Sequence, residues 1–137
     1  MSIVDDRGSA PTEVALVAPL LIVLLLFVIF VGRLTSTRLD VTAAARDAAR
    51  AASLRATPDE AAADARRTAE RVLADKGVGC RELLVDVDTE SFAPGGSVGV
   101  SVSCTANLAD LALLRVPGTR AISASAREVI DAYGVRS

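Results

Sequence analysis

The stretch VALVAPLLIVLLLFVIFVGRLTSTRLDVTAAARDAARAASLRA, residues 14–56, decides the architecture. From Val14 to Gly32 it carries no charge, and Glu13 and Arg33 bound it. About 19 residues wound as a helix cross a hydrocarbon core of ~30 Å. Pro19 lies inside this run, where it withholds an N–H and frees a carbonyl, so a kink of the transmembrane helix is expected there. Beyond Arg33 the composition changes, but no glycine or proline interrupts the chain as far as residue 56. Leu34, Val41, Ala45, Ala48 and Ala52 fall on one stripe, with the arginines and aspartates mostly off it. The spacing predicts a single helix from about residue 10 to about residue 55, ~65 Å long. A break among Thr35, Ser36 and Thr37 is the alternative.

Downstream, TPDE at residues 57–60 is a helix start. Thr57 can cap, Pro58 suits the first turn, and Glu60 can close a capping box. This second helix is expected to end near Lys76, at Gly77. Its inward face would be Ala61, Ala65, Ala69, Val72 and Leu73, small enough for close approach to the alanine-rich half of the first helix. The period then changes to two. ELLVDVD (82–88) reads as a strand with Leu83, Val85 and Val87 on one face, FAPGGS (92–97) as a turn, and SVGVSVSCT (97–105) as a second strand. Val98, Val100, Val102 and Cys104 share a face of that strand. Residues 107–118 form an apolar link that suits a short helix. TRAISASAREVIDAY (119–133) reads as a third strand with Ile122, Ala124 and Ala126 on a face, or alternatively as a terminal helix. The class is therefore α+β, two helices and a small antiparallel sheet of about three strands. The expected divisions are a polar head (1–8), a membrane helix (9–33), its extension (34–56) and a small folded domain (57–137).

Composition narrows the function. Aromatics are only 3% of the chain, so a core in the domain has few large side chains and gains from a staple. The net charge is −2, and arginines such as Arg46, Arg50, Arg66 and Arg67 alternate with Asp47, Asp59, Asp64 and Glu70. That is a solvated helix face with local ion pairs, without the concentrated basic patch that nucleic acid requires. The chain has no histidine and no CxxC, so a zinc site and a Ser-His-Asp triad both lack their parts. The pairs Asp5/Asp6 and Asp86/Asp88 have no sequence setting that would desolvate one member. Neither enzyme chemistry nor a cofactor, metal or small-molecule substrate is expected.

The two cysteines test the hairpin. Folding the chain near residue 92 gives Cys104 an antiparallel partner at about residue 80 to 82. Cys80 and Cys104 thus meet at the open end, which permits a disulfide closing a loop of about 25 residues, for about 3.5 kcal/mol. Two free thiols are the alternative. A disulfide requires an oxidising compartment and places the C-terminal domain outside the cytoplasm. Arg33 and Arg38 against Asp5, Asp6 and Arg7 argue the reverse by the positive-inside rule, but the excess is small, and the disulfide decides.

The N-terminal segment is then a cleaved signal, a plain anchor, or something more specific. A secretory signal has a basic head, a shorter core and a small-residue cleavage site, none of which is present. A plain anchor needs neither Gly8 nor Glu13. RGSAPTEVALVAPLL, residues 7–21, resembles the N-terminal segment of TadE-like pilus assembly proteins, and more broadly of type IV prepilins. The matching residues are Gly8 ending a polar leader, Glu13 five positions later, Ala15 and Pro19. The resemblance implies a pilin-like subunit of a tight-adherence (Flp) type IV pilus assembly or secretion system. It implies cleavage between Gly8 and Ser9 by a prepilin peptidase at the cytoplasmic face of the bacterial membrane. It implies that Glu13 pairs with the new amine of Ser9 on a neighbouring subunit, a reasonable remedy for a carboxylate at a membrane edge. The implied partners are membrane lipid, the peptidase, other pilin-like subunits and the assembly platform. The implied topology is a single pass with the N-terminus cytoplasmic, and the subunit is either retained in the membrane or incorporated in a pilus. Read without the resemblance, Glu13 is an acidic first-turn residue favoured by the helix dipole and Gly8 a flexible joint. The chain is then an unprocessed single-pass protein whose exported domain binds an envelope partner.

Overall fold

A computed structural model describes residues 9–107 and 118–132, with side chains from Pro11 onward. The expectations for Gly8, for the link 108–117 and for residues after 132 lie outside the described residues. Five elements follow in order: α1 (Ser9–Ser53), α2 (Pro58–Asp75), β1 (Glu82–Asp88), β2 (Ser97–Asn107) and β3 (Thr119–Val129). The class is α+β, as the periodicities require.

Helix α1 runs 45 residues without a break, ~67 Å at ~1.5 Å per residue. Thr35, Ser36 and Thr37 do not interrupt it. Thr35 and Thr37 turn their hydroxyls onto the carbonyls one turn back, at Val31 and Arg33, so helix and side chain are satisfied together. Helix α2 begins as its sequence signals. The Thr57 hydroxyl accepts from the Glu60 N–H at 3.2 Å, Pro58 opens the first turn, and Asp59 and Glu60 lie at the positive end of the dipole. It ends in a Schellman motif: the Val78 N–H donates to the Leu73 carbonyl, the Gly77 N–H to that of Ala74, and Gly77 takes φ +71°.

The sheet is antiparallel in the order β1-β2-β3. Helix α1 lies over β2 and β3; α2 lies beside α1 and reaches the sheet at β1. The core is built from Val41, Ala44, Ala45, Ala48, Ala49 and Ala52 of α1, Ala61, Ala65, Ala69 and Leu73 of α2, and alternate residues of β2. The alanines let α1 approach both α2 and the sheet. On α2, Thr68 is buried and Val72 only half-buried, a shift of the inward face from the expected one. Beyond β3, Ile130 is buried, and it exchanges backbone hydrogen bonds with Gly95 and Gly96. Gly96 is required there, because a Cβ would collide with the Ser91 carbonyl oxygen.

The structure contains a Cys80–Cys104 disulfide with a Cα–Cα distance of 5.3 Å. The register behind the expectation is displaced. Leu83, not Cys80, stands opposite Cys104. Cys80 lies before β1, and the chain bends there to bring it back across the hairpin. Asp88 pairs with Gly99, two residues into β2, so every partner of β1 is displaced toward the C-terminus of the expected one.

Candidate functional site

Two regions present chemistry to the outside: the N-terminal half of α1 and the outer face of the sheet. Along α1 from Val14 to Val31 most of the large apolar side chains are exposed; Leu16 is 74% and Leu20 67% exposed. Among the described residues none of the domain buries this stretch, and by length and composition the helix suits a membrane. Such exposure in water would be unfavourable at about 25 cal/mol per Å².

Glu13 stands at the head of this surface. With Val14, Val17, Ala18 and Leu21 it lines a shallow, largely apolar hollow. Its side chain is exposed and has no hydrogen bond or ion pair among the described residues. Helix α1 already extends to Ser9, so Glu13 lies beyond the first turn. The dipole effect fades within that turn, which weakens the first-turn reading of Glu13. Ser9 is the first described helical residue, and Pro19 lies within the continuous helix.

The outer face of the sheet carries small polar residues. Ser101 and Ser125 hydrogen-bond at 2.9 Å, and Ser123 donates to Ser103 at 3.1 Å. At the end of this ladder the Arg127 guanidinium donates to Asp88 at 2.8 Å and to Ser97 at 3.0 Å, crossing over Gly99. Its hydrogen bond to Asp88, with that from the Glu90 N–H, holds the Asp88 carboxyl below its ordinary value. Neither the serine ladder nor this pair was legible as a site in the sequence; the alternation of Ser101, Ser103, Ser123 and Ser125 was the available signal. The region holds no buried unpaired group to act on a substrate, and among the described residues no three His, Cys, Asp or Glu side chains converge to hold a metal.

The two sets of sequence-derived residues are therefore far apart in the chain and in the fold. Glu13 and Pro19 belong to the exposed apolar half of α1, and Cys80 and Cys104 staple the domain. Searches of curated proteins and of solved structures return no match. A family model described as TadE-like protein does match, over residues 8–50, which spans Glu13, the apolar run and the alanine half of α1. The N-terminal segment of the chain, residues 8–50, is thus similar to TadE-like proteins.

Proposed function

We propose that this chain is a membrane-anchored, pilin-like (pseudopilin) subunit of a tight-adherence type IV pilus assembly or secretion system, acting by assembly and without catalysis of its own. The TadE-like segment supports association with pilus components. The observation that carries the finer reading is Glu13: a carboxylate with no partner among the described residues, at the head of an exposed apolar helix. A charge at a membrane edge calls for a counter-charge. In this reading residues 1–8 are a leader, and a prepilin peptidase cuts between Gly8 and Ser9. Residues 9–33 span the cytoplasmic membrane and bend at Pro19. Residues 34–56 join residues 57–137 in a domain outside the cytoplasm, where the disulfide persists. The freed Ser9 amine of a neighbouring subunit is the cation that Glu13 meets.

Zero-length carbodiimide coupling in membranes containing the peptidase and the assembly system tests the pairing. An amide between the Glu13 carboxylate and a mature N-terminal amine is expected in the wild type, and its loss is expected in Glu13→Gln and in Gly8→Ala. Coupling that persists in Gly8→Ala would contradict the pairing. An unprocessed chain whose domain alone captures an envelope protein would favour the plain-anchor reading.

A further inference from the structure

A second hollow lies where the apolar half of α1 gives way to the domain. It has a volume of about 430 Å³ and is lined by Arg33, Ser36, Asp40, Lys76, Gly77 and Gly79, among others. Arg33 is the first charge after the apolar run. Lys76 is the single lysine of the chain, and α2, running back along α1, delivers it here. Its ammonium is 3.6 Å from Asp40 Oδ1, an ion pair longer than a hydrogen bond. Neither Arg33 nor Lys76 donates a side-chain hydrogen bond to any described residue. Gly77 and Gly79 present backbone without side chains, and a Cβ at either would meet nothing within 4 Å.

We propose that this hollow binds the phosphodiester of an anionic phospholipid with a hydroxylated headgroup, of the phosphatidylglycerol type. The proposal rests on the reading of α1 as a membrane helix. It does not depend on cleavage at Gly8 or on which side the domain faces. Level and charge argue for it. Arg33 closes the apolar run, so the hollow begins where the hydrocarbon ends. Asp40 lies seven residues further along the helix, ~10 Å, so the hollow spans the ~5–8 Å headgroup layer and reaches just beyond it. Two cations and one carboxylate leave one positive charge, which matches one phosphodiester. Arg33 offers a planar fork for its oxygens, and Lys76 a compact charge with free donors. Asp40 and Ser36 suit the headgroup hydroxyls.

The test is native mass spectrometry of the full chain in detergent, titrated separately with phosphatidylglycerol, phosphatidylethanolamine and phosphatidylcholine. Preferential retention of phosphatidylglycerol is expected. Arg33→Gln and Lys76→Gln should each weaken that retention about fivefold, the effect of one basic residue near an anionic surface. The double variant should abolish the preference, and Lys76→Arg should restore most of it. Arg38→Gln makes the same charge change on an exposed position outside the hollow and should leave retention unchanged. Equal retention of the three lipids, or an equal loss in Arg38→Gln, would overturn the site. So would competition by inorganic phosphate or glycerol phosphate at the concentration of the lipid, which would identify a soluble anion as the ligand. Alkaline carbonate washing of vesicles separates the two claims. A chain that stays in the bilayer without a lipid preference refutes only the site, and a chain that washes out refutes the membrane reading beneath it. Circular dichroism of each variant confirms that folding is unchanged.

Discussion

Val14 to Val31 and Val41 to Ala52 lie on one uninterrupted helix, yet their surroundings are opposite. The first half is rich in large apolar side chains and mostly exposed; the second is alanine-rich and buried at Val41, Ala44, Ala45, Ala48, Ala49 and Ala52. A helix that is apolar on every side asks for an apolar solvent, whereas a helix with a small-residue stripe asks for a close protein neighbour. Secondary structure is therefore common to both halves, and side-chain size decides what each half contacts. The domain half has few bulky groups of its own. Among the described residues its largest fully buried side chains are Ile130, Val41, Val98, Val100, Val102 and Cys104, with no aromatic among them. This is why the disulfide belongs to the domain and why the apolar half needs none.

If that contrast is right, the largest effect comes from the staple. Replacing both Cys80 and Cys104 with alanine releases a loop of sequence separation 24 and should cost the domain about 3.5 kcal/mol. Chemical denaturation followed by circular dichroism measures it, and a loss well below ~1 kcal/mol would mean that the core holds without the bridge. Next comes volume at the alanine seam. Ala48→Leu inserts a branched side chain where exposure is 0% and should destabilise the domain by about 1–3 kcal/mol. Leu20→Ala, on the exposed half, should change domain stability by less than ~0.5 kcal/mol. Equal effects at the two positions would erase the distinction between the halves. Thr57→Ala removes the α2 cap and should cost about 1 kcal/mol, read in the same denaturation series.

The smallest effect is at the exposed Asp88–Arg127 pair, and it depends on pH. Asp88 is held below its ordinary value of 3.8 in the folded chain, chiefly by Arg127. A carboxylate with a lowered folded pKa stabilises above its unfolded value, and that contribution is lost as pH falls through the folded value. The pair should therefore favour the wild type over Arg127→Gln near neutrality, and the difference should fade below about pH 4. A carboxyl resonance of Asp88 that titrates unchanged in Arg127→Gln would contradict this.

Much of this organisation was legible in the sequence, for local reasons. The absence of glycine and proline between Arg33 and Ala56 allowed one helix, and TPDE with Gly77 bracketed the next. Strict alternation in residues 82–88 and 97–105 located the hairpin. What escaped depended on distant parts of the chain. The register of Cys104 opposite Leu83 follows from the pairing of Asp88 with Gly99, which composition does not fix. Thr68 is buried on α2, while Val72 packs against the core only half-buried, which depends on how α2 meets the rest of the domain. Arg33 and Lys76 share a hollow only because α2 turns back along α1. At the candidate assembly site, Glu13 was visible from its spacing, whereas its lack of a partner among the described residues required the fold.

The decisive feature is the chain's N-terminus once it is in a membrane that also contains a prepilin peptidase. The intact mass of the membrane-extracted protein decides it. A mature chain beginning at Ser9, with cleavage lost in Gly8→Ala, is the predicted result. A chain that retains Met1 through Gly8, or one cut beyond Gly32, would contradict it.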